Sequence, residues 1–371
     1  MRPLTQSKPF FATLDAIRGV AAILVMMRHV PYFTGFQESY LAVDVFFLLS
    51  GVVIANAYEQ RLLQGLSIRR FTLMRVVRIY PLYLLGCALM LLALYRDGTP
   101  GLPDWQPWLT IVVLAGLLLP NLAGDPPFPL NHPAWSLFFE MAANLFYAAI
   151  VRWLSTRRLL VLIGASALGL GFTLLKSGQT NLDLGWSCAT LRYGVARVGY
   201  SFFAGILLYR CFVSYGGRAV DFLSNRKQIA QSLSWLIVAL IAAILTAGPA
   251  PAWQPWFDFL AVTAVFPPLI YLALCLPAHG YGAPLARWLG AVSYPIYALH
   301  VPLYNLLAPA LESRIDSDSP WLAGIFAACL IPLCMFLNRY FDQPVRRQLM
   351  AYAEAGYARL GRWKTETPQR R

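Results

Sequence analysis

Ionisable side chains inside apolar stretches are the features of this sequence that can support chemistry. Arg18 and His29 lie in the first such stretch, with ten residues between them. On an α-helix, eleven steps advance the chain by roughly 16 Å and return to nearly the same face. A histidine there can take a proton from a hydroxyl, because its unperturbed pKa is about 6.5. The spacing predicts either a functional stripe or an interfacial arginine with a hydrogen-bonded core histidine.

A second polar stripe follows Trp135. Ser136, Glu140 and Asn144 recur at every fourth position, so they share one face of a helix that is otherwise apolar. An ionisable group inside a membrane span costs roughly 2.5–3.5 kcal/mol on insertion scales and is by default a functional candidate. We therefore predict a functional role for Glu140.

Two arginines stand close together at the end of the first basic segment. Arg75 and Arg78 are three positions apart, so on a helix their guanidinium groups can converge on one phosphate-bearing ligand. An ordinary basic loop explains them equally well. Pro81 suits the first turn of the span that follows.

Three more ionisable groups lie within apolar stretches. Asp44 needs a cationic or hydrogen-bonding partner, and the nearby Gly51 lets another helix approach closely. Arg197 lies within the sixth predicted span. His300 shares a helix face with Tyr297, and it is either a second titrating group or a core histidine satisfied by a neighbour.

These side chains belong to a chain with the composition of a membrane protein. Of its 371 residues, 58% are hydrophobic and 13% are charged, whereas a soluble domain is about half apolar and about a quarter charged. A stretch of about 20 apolar residues crosses the hydrocarbon core. We predict an all-α integral membrane protein with about ten transmembrane helices and one re-entrant or interfacial segment at 106–121. The predicted spans are 11–32, 40–60, 79–96, 135–153, 159–176, 192–211, 229–248, 257–277, 289–309 and 320–340.

Basic residues cluster between the spans, which favours one orientation. Arg61–Arg78, Arg152–Arg158, Arg210–Lys227 and the segment from Arg346 fall on one side if the ten spans cross and 106–121 does not. That side is the cytoplasmic one by the positive-inside bias. Both termini are therefore predicted to be cytoplasmic.

Charge and cysteine content bear on other classes of protein. The net charge of +13 arises in the loops between spans, so it does not indicate nucleic-acid binding. The six cysteines form no C-x-x-C pair, and we predict neither a metal site nor a disulfide framework. Residues 1–345 are expected to form the membrane domain, with a basic cytoplasmic tail at 346–371.

The order of these motifs resembles the acyltransferase 3 family. The resemblance consists of R-x10-H in the first span, VDVFFLLSG, RRFTLMRVVRIYP, HPAWSLFFE, LGAVSYPIYALHVP and the ending Asp342-Gln-Pro-Val-Arg346. Each motif alone is weak, but six of them in one order cover nearly the whole chain. The resemblance implies an O-acyltransferase of a bacterial inner membrane. Such an enzyme transfers an acyl group, usually acetyl, from cytoplasmic acyl-CoA to a sugar hydroxyl of a surface or exported glycan.

The resemblance also implies roles for individual residues. His29 corresponds to the catalytic histidine and Arg18 to its partner, while Arg75 and Arg78 form the R-x-x-R pair associated with the donor. Glu140 matches the first acid after Trp-Ser-Leu, although the second acid found in many members is replaced here by methionine. Further candidates for the substrate pocket are Asp44, Trp135, Ser136, Arg197, Tyr297 and His300.

The mechanism and the acceptor stay open at this point. His29 either deprotonates the acceptor hydroxyl or accepts the acyl group itself, and Arg18, Ser136 or Tyr297 can stabilise the oxyanion. A glycan or lipid transporter, with the buried charges as a substrate or proton pathway, is the alternative function. A membrane sensor or scaffold without chemistry is the third. The variant WSLFFE resembles exopolysaccharide-modifying members of the family, but the O-antigen of lipopolysaccharide, a nodulation-type oligosaccharide, peptidoglycan and a small glycosylated metabolite are also compatible acceptors.

Overall fold

The computed structural model of the chain describes residues 11–29, 34–98, 105–176, 180–276, 282–312 and 320–359. Throughout these ranges the chain forms helices joined by turns and loops, and they contain no β-strand. The prediction of an all-α protein is therefore confirmed for them.

Fifteen α-helices follow one another along the described residues. They are α1 (Ala12–Arg28), α2 (Ala42–Ile54), α3 (Gln60–Leu63), α4 (Ile68–Arg96), α5 (Trp105–Gly116), α6 (Ala134–Ile150), α7 (Thr156–Lys176), α8 (Gly194–Tyr215), α9 (Gly217–Ser224), α10 (Lys227–Thr246), α11 (Gln254–Leu260), α12 (Phe266–Cys275), α13 (Gly282–Glu312), α14 (Pro320–Leu337) and α15 (Gln343–Arg359). Single π-helical turns join α2 to α3, α11 to α12 and α14 to α15, so each of these pairs forms one continuous rod.

Several of these helices are membrane spans. Among the described residues, seven helical segments are long and apolar enough to cross a bilayer: Glu38–Leu63, Ile68–Arg96, Thr156–Leu175, Leu191–Tyr215, Lys227–Thr246, Gln254–Cys275 and Gly324–Gly356. By contrast, α5 has 12 residues, which is about 18 Å of helix against a hydrocarbon core of about 30 Å. The chain is a multi-pass membrane protein, and the count of about ten spans stays a prediction.

The third predicted span is longer than the sequence pattern indicated. We expected it to begin at residue 79, but α4 begins at Ile68 because the Ser67 side chain caps it, accepting a hydrogen bond from the Arg70 N–H at 3.4 Å. Arg75 and Arg78 are consequently one turn apart on a rigid helix rather than in a loop. Pro81, expected in the first turn, lies in the helix interior.

Two glycines bring α2 and α8 into backbone contact. A Cβ atom at Gly51 would lie 2.0 Å from the carbonyl oxygen of Phe202, and one at Gly205 would lie 2.1 Å from that of Leu48. Side chains larger than hydrogen are therefore excluded from both positions, as at other small-residue helix contacts in membranes. The close approach predicted at Gly51 is confirmed, and α8 is the helix that approaches.

Two loops of the bundle are joined at Cys188. Its backbone N–H donates to Asp125 Oδ1 at 3.0 Å, and its thiol lies 3.1 Å from the Gly124 carbonyl oxygen. These contacts connect the loop at 117–133, which leads into α6, with the loop at 180–190, which leads into α8. Both loops contribute to the site described below.

The last helix crosses the predicted domain boundary. α15 runs from Gln343 to Arg359, so residues on both sides of the expected division between 345 and 346 belong to one helix. Buried Asp342 pairs with Arg346 at 2.6 Å and joins this helix to the π-helical turn before it. The rest of the predicted tail, from residue 360 onward, lies outside the described residues.

The contact between α2 and α8 yields a test of the fold. Gly51→Ala is expected to destabilise the protein by about 1–3 kcal/mol, because the added methyl group overlaps the Phe202 carbonyl and the helices must separate. Gly164→Ala in α7 is the control, since nothing lies within 4 Å of its Cβ position; it should be neutral or slightly stabilising. Thermal unfolding of the purified protein in detergent measures both variants. Equal melting temperatures for the two would contradict the packing described here.

Candidate active site

Two of the cavities that the described residues enclose contain predicted catalytic residues, and α1 contributes side chains to both of them. We name them inner and outer after the orientation that the loop charges predict. The inner cavity has a volume of about 150 Å³ and the outer cavity about 240 Å³. Polar side chains that line the inner cavity include Arg18, Ser50, Arg75, Arg78, Ser136 and Glu140. Those that line the outer cavity include Arg28, His29, Tyr40, His132, Asp183 and Trp186.

Glu140 connects three helices at the inner cavity. Its Oε1 atom accepts 2.8 Å hydrogen bonds from Ser50 Oγ on α2 and from Arg75 Nη2 on α4. This ion pair offsets the charge of Arg75, whose side chain is 11% exposed. Arg75 Nε is buried and has no hydrogen-bond partner within the described residues. Glu140 therefore holds Arg75 in place at the wall of the inner cavity.

Arg78 differs from Arg75 although the two are adjacent. Its guanidinium lies over the Tyr294 ring, 5.1 Å from the ring centre, and it makes no hydrogen bond within the part of the chain that the structure describes. Arg18 and Arg346 add like charges around it, whereas the nearby Asp342 is already paired with Arg346. The wall of the inner cavity at Arg78 therefore carries uncompensated positive charge, which favours an anionic ligand.

Arg18 fixes α1 to α13 beside the inner cavity. Its Nη2 atom donates to Asp15 Oδ1 at 2.6 Å, and its Nε atom donates to Ser293 Oγ at 3.0 Å. His29, at the other end of α1, faces the outer cavity. The two residues of the R-x10-H motif thus belong to different cavities, and Arg18 does not contact the histidine.

His29 meets a second predicted residue at the outer cavity. Its Nδ1 atom lies 2.8 Å from the Val25 carbonyl oxygen and 3.3 Å from Nε2 of His300. His300, on α13, is 1% exposed, and its own Nδ1 lies 3.0 Å from the carbonyl oxygens of Ile296 and Tyr297. Two histidines from opposite ends of the chain are therefore in direct contact.

An ion pair closes one side of the outer cavity. Arg28 Nη2 lies 2.6 Å from Asp183 Oδ2, and the Arg28 guanidinium lies 5.0 Å from the centre of the Tyr40 ring. Because the two charges offset each other, this wall is close to neutral.

His132 and Trp186 form another wall of the outer cavity. Their rings meet edge to face with centres 5.6 Å apart, and Trp186 Nε1 donates to the Asp183 carbonyl oxygen at 2.9 Å. Burial lowers the pKa of His132, while the carboxylates of Asp183 and Asp125 act in the opposite direction. His132 is therefore uncharged at neutral pH. In contrast to the inner cavity, the outer cavity offers an aromatic surface with little net charge.

The two cavities meet at Val43 and Tyr297, which line both of them. The Tyr297 hydroxyl lies 2.5 Å from Ser136 Oγ and donates to the Pro133 carbonyl oxygen at 3.2 Å. Phe46 packs edge to face on the Tyr297 ring, with ring centres 5.4 Å apart. Two hydroxyl groups therefore stand at the boundary between a cationic cavity and a neutral one.

Asp44 and Arg197, both predicted pocket residues, pair with each other. Arg197 Nη2 lies 2.5 Å from Asp44 Oδ2, and the side chains are 0% and 1% exposed. Arg197 Nη1 also donates to the Leu184 carbonyl oxygen at 2.8 Å, and its guanidinium lies over the Trp135 ring. Neither charged residue lines either cavity, whereas Trp135 lines the outer one. The pair fixes the loop that carries Asp183.

Five polar residues of the outer cavity were missed in the sequence. They are Arg28, Tyr40, His132, Asp183 and Trp186. A signal was present in the histidines: the chain has four, of which His29 and His132 line this cavity and His300 contacts His29 from behind it. Asp183 and Trp186 could not be recognised in this way. They lie in a loop, and outside a helix the spacing of residues does not show which side chains point in the same direction.

The described residues contain no group of three or more His, Cys, Asp or Glu side chains that could hold a metal ion. The absence of a metal from the mechanism stays a prediction.

A family model described as an acyltransferase domain matches residues 11–339 of the chain. The match includes every residue that lines the two cavities. The chain belongs to the acyltransferase 3 family. It is an acyltransferase, as the ordered motifs predicted.

Three curated relatives align with this chain over different lengths. "Protein 2 in picA locus" of Rhizobium radiobacter is 42% identical over 167 residues, which are 40% of this chain and 86% of that protein. The peptidoglycan O-acetyltransferase OatA of Listeria monocytogenes is 24% identical over 374 aligned positions, covering 93% of this chain and 57% of OatA. The acyltransferase MdmB of Streptomyces mycarofaciens is 29% identical over 165 residues, covering 40% of this chain and 41% of MdmB. The chain thus spans little more than half the length of OatA, and no solved structure matches it.

The buried Asp44–Arg197 pair yields a stability prediction. Arg197→Met is expected to cost about 3–5 kcal/mol, because it leaves the Asp44 carboxylate buried without a counterion. The double variant Asp44→Leu/Arg197→Met should recover part of that loss, since it removes both charges. Asp97→Asn, at the exposed Arg96–Asp97 pair, is the control and should leave the melting temperature unchanged, because exposed ion pairs add little to stability. An Arg197→Met protein that melts like the wild type but loses activity would instead make Arg197 a substrate-binding residue.

Proposed function

We propose that the protein transfers an acyl group, in the first instance acetyl, from acyl-CoA in the inner cavity to a hydroxyl of a carbohydrate in the outer cavity. The observation that carries this proposal is the meeting of a cationic cavity and a neutral aromatic cavity at Val43 and Tyr297. A thioester bound at that boundary is within reach of a ligand from either side. The likeness to OatA, a peptidoglycan O-acetyltransferase, supports O-acetyl transfer to a glycan.

The donor is bound by side chains with different tasks. Coenzyme A carries several phosphates, and Arg78 has the uncompensated charge that a phosphate requires. Arg75 is already paired with Glu140, so it is a weaker phosphate ligand. The guanidinium N–H groups that it keeps at the cavity wall suit an amide carbonyl of the pantetheine arm instead. This division replaces the expectation that both arginines bind phosphate together.

The reaction takes place at the boundary. The His29 imidazole takes the proton of the acceptor hydroxyl, whose oxygen attacks the thioester carbonyl carbon. The hydroxyls of Tyr297 and Ser136 hydrogen-bond each other and the Pro133 carbonyl. One of them turns from that carbonyl to donate to the developing oxyanion. Collapse of the tetrahedral intermediate breaks the carbon–sulfur bond, and the proton on His29 passes to the departing thiolate. Transfer through an acyl-His29 intermediate uses the same groups in two steps.

The acceptor site suits an uncharged sugar ring. Trp186 presents an indole face, and the cavity charges are either paired, as in Arg28–Asp183, or absent, as in His132. At about 240 Å³ the cavity is smaller than the roughly 300–1,000 Å³ of pockets for drug-sized ligands, which favours a single sugar unit over an oligosaccharide. Exopolysaccharide, lipopolysaccharide and peptidoglycan can each present such a unit. We also place the protein in a bacterial inner membrane, with ten spans and both termini in the cytoplasm.

Mass spectrometry of envelope and secreted glycans tests the function. A deletion strain of the source organism is complemented with wild type, His29→Ala or the control Gly164→Ala at matched membrane levels. We expect an acyl-sized mass increment with wild type and Gly164→Ala, and none with His29→Ala. An increment that survives His29→Ala would remove His29 from the reaction. Identical glycans in all strains, including the uncomplemented one, would favour transport instead.

The division of labour between the two arginines yields a kinetic prediction. Arg78→Gln should raise KM for acetyl-CoA about tenfold to a hundredfold, because it removes a charge-assisted contact worth roughly 1.5–3 kcal/mol. With S-acetyl-pantetheine, which lacks the nucleotide phosphates, the same variant should resemble wild type. Arg75→Gln serves as the matched variant and should impair both donors equally. Equal losses with both donors in Arg78→Gln would contradict a phosphate contact at Arg78.

A further inference from the structure

We propose that His300 is a positioning residue for His29. It accepts a hydrogen bond from Nδ1–H of His29, fixes that tautomer, and thereby leaves the Nε2 lone pair of His29 for the reaction. This inference rests on the proposed transfer through His29 and adds the group that orients it.

The tautomer of His300 follows from its neighbours. Its Nδ1 atom is 3.0 Å from two backbone carbonyl oxygens, those of Ile296 and Tyr297. Carbonyl oxygens only accept hydrogen bonds, so Nδ1 of His300 carries the hydrogen. In a neutral imidazole the other nitrogen, Nε2, is then an acceptor. This is the atom that lies 3.3 Å from Nδ1 of His29.

The neighbours of His29 lead to the complementary assignment. Its Nδ1 atom is 2.8 Å from the Val25 carbonyl oxygen, which requires a hydrogen on Nδ1. A hydrogen on Nε2 of His300 would point at that same hydrogen, so the contact at 3.3 Å requires His300 Nε2 to be bare. The His29 Nδ1–H is therefore shared between Val25 and His300. Nε2 of His29 is left as the basic, nucleophilic nitrogen of a ring that lines the outer cavity.

His300 acts through His29 because it does not reach a ligand itself. It is 1% exposed and does not line either cavity. Its ring meets that of His29 at 67° with centres 4.8 Å apart. α13 also carries Tyr297, three residues earlier, so one helix places both the orienting imidazole and the hydroxyl at the cavity boundary.

The contact gains strength during the reaction. When Nε2 of His29 takes the proton of the acceptor hydroxyl, the ring becomes an imidazolium and its Nδ1–H becomes a charge-assisted donor to Val25 and His300. The proton leaves again when the thiolate departs, and His300 neither gains nor loses one. The other charged or titratable groups that act on His29 are Arg28, Asp183 and His132. Arg28 and Asp183 offset each other, so His300 is the neighbour whose replacement changes the hydrogen bonding of His29 most directly.

Two variants separate positioning from packing. His300→Gln keeps a side-chain carbonyl that can accept from His29 and an amide that can donate to Ile296 and Tyr297. His300→Phe fills the space but has no acceptor. We expect His300→Phe to lower kcat about tenfold to a hundredfold while KM for both substrates stays within about twofold, and His300→Gln to restore most of kcat. Melting temperatures of both variants, measured alongside, report any loss of packing.

The pH dependence of kcat/KM distinguishes the two roles, because a residue that only packs against His29 would not change it. Loss of the acceptor destabilises the imidazolium form of His29, so the acid limb of kcat/KM should shift by about one unit to lower pH in His300→Phe and return in His300→Gln. A kcat and acid limb like those of wild type in His300→Phe would overturn the inference. So would equal losses in both variants with lowered melting temperatures, because those indicate packing.

Nitrogen NMR measures the tautomer of His29 directly and so tests the inference independently of activity. In protein labelled with ¹⁵N-histidine, and with the His29 signal assigned by its absence in His29→Gln, we expect the Nδ1–H tautomer in wild type and a mixture in His300→Phe. An Nε2–H tautomer in wild type would overturn the inference even if acyl transfer were confirmed. If no acyl transfer is detected but His29 is found as the Nδ1–H tautomer, the proposed function is wrong, whereas the hydrogen bond from His29 to His300 is confirmed.

Discussion

The close approach of α1 and α13 is the constraint on which the site depends. A Cβ atom at Gly19 would lie 2.4 Å from that of Leu289, and one at Gly290 would lie 2.5 Å from Asp15 Cγ, so the two helices meet with almost no side chain between them. Only at that separation can Arg18 donate to Ser293 near one end of the contact and His29 meet His300 near the other. The two residues of the R-x10-H motif therefore depend on the packing of α1 against α13, and not on the geometry of α1 alone.

Charge pairing then gives the two cavities different chemistry. At the inner cavity Glu140 offsets Arg75, and Arg78 keeps its charge. At the outer cavity the pairing of Arg28 with Asp183 leaves an aromatic surface that is close to neutral. In a low-dielectric setting such a difference separates anionic from uncharged ligands without a gate or a conformational change. The Tyr297 and Ser136 hydroxyls stand at the boundary, where a donor and an acceptor would meet.

Features of this arrangement that depend on residues close together in the sequence could be predicted. Composition and apolar runs predicted an all-α membrane protein, and Gly51 predicted a close helix contact, because these features depend on residues that are near one another along the chain. Partnerships between distant residues were not predictable: nothing local indicated that Asp44 pairs with Arg197, or that Glu140 holds Arg75 and not Arg78. The start of α4 was misplaced because basic residues at a membrane surface look like a loop, although the Ser67 cap makes them helical. Asp183 and Trp186 were missed because tertiary contacts, such as Arg197 with the Leu184 carbonyl, position their loop.

In the function that we propose, donor and acceptor reach one reaction centre from opposite faces of the membrane. Sealed inside-out vesicles, prepared from the source organism and enclosing its own periplasmic glycan, test it when acetyl-CoA labelled in the acetyl group is added outside. We expect label in the enclosed glycan, dependent on His29, and none in the same glycan added outside with the acetyl-CoA. Label in the external glycan alone would place both substrates on one face of the membrane and would rule out transfer across it.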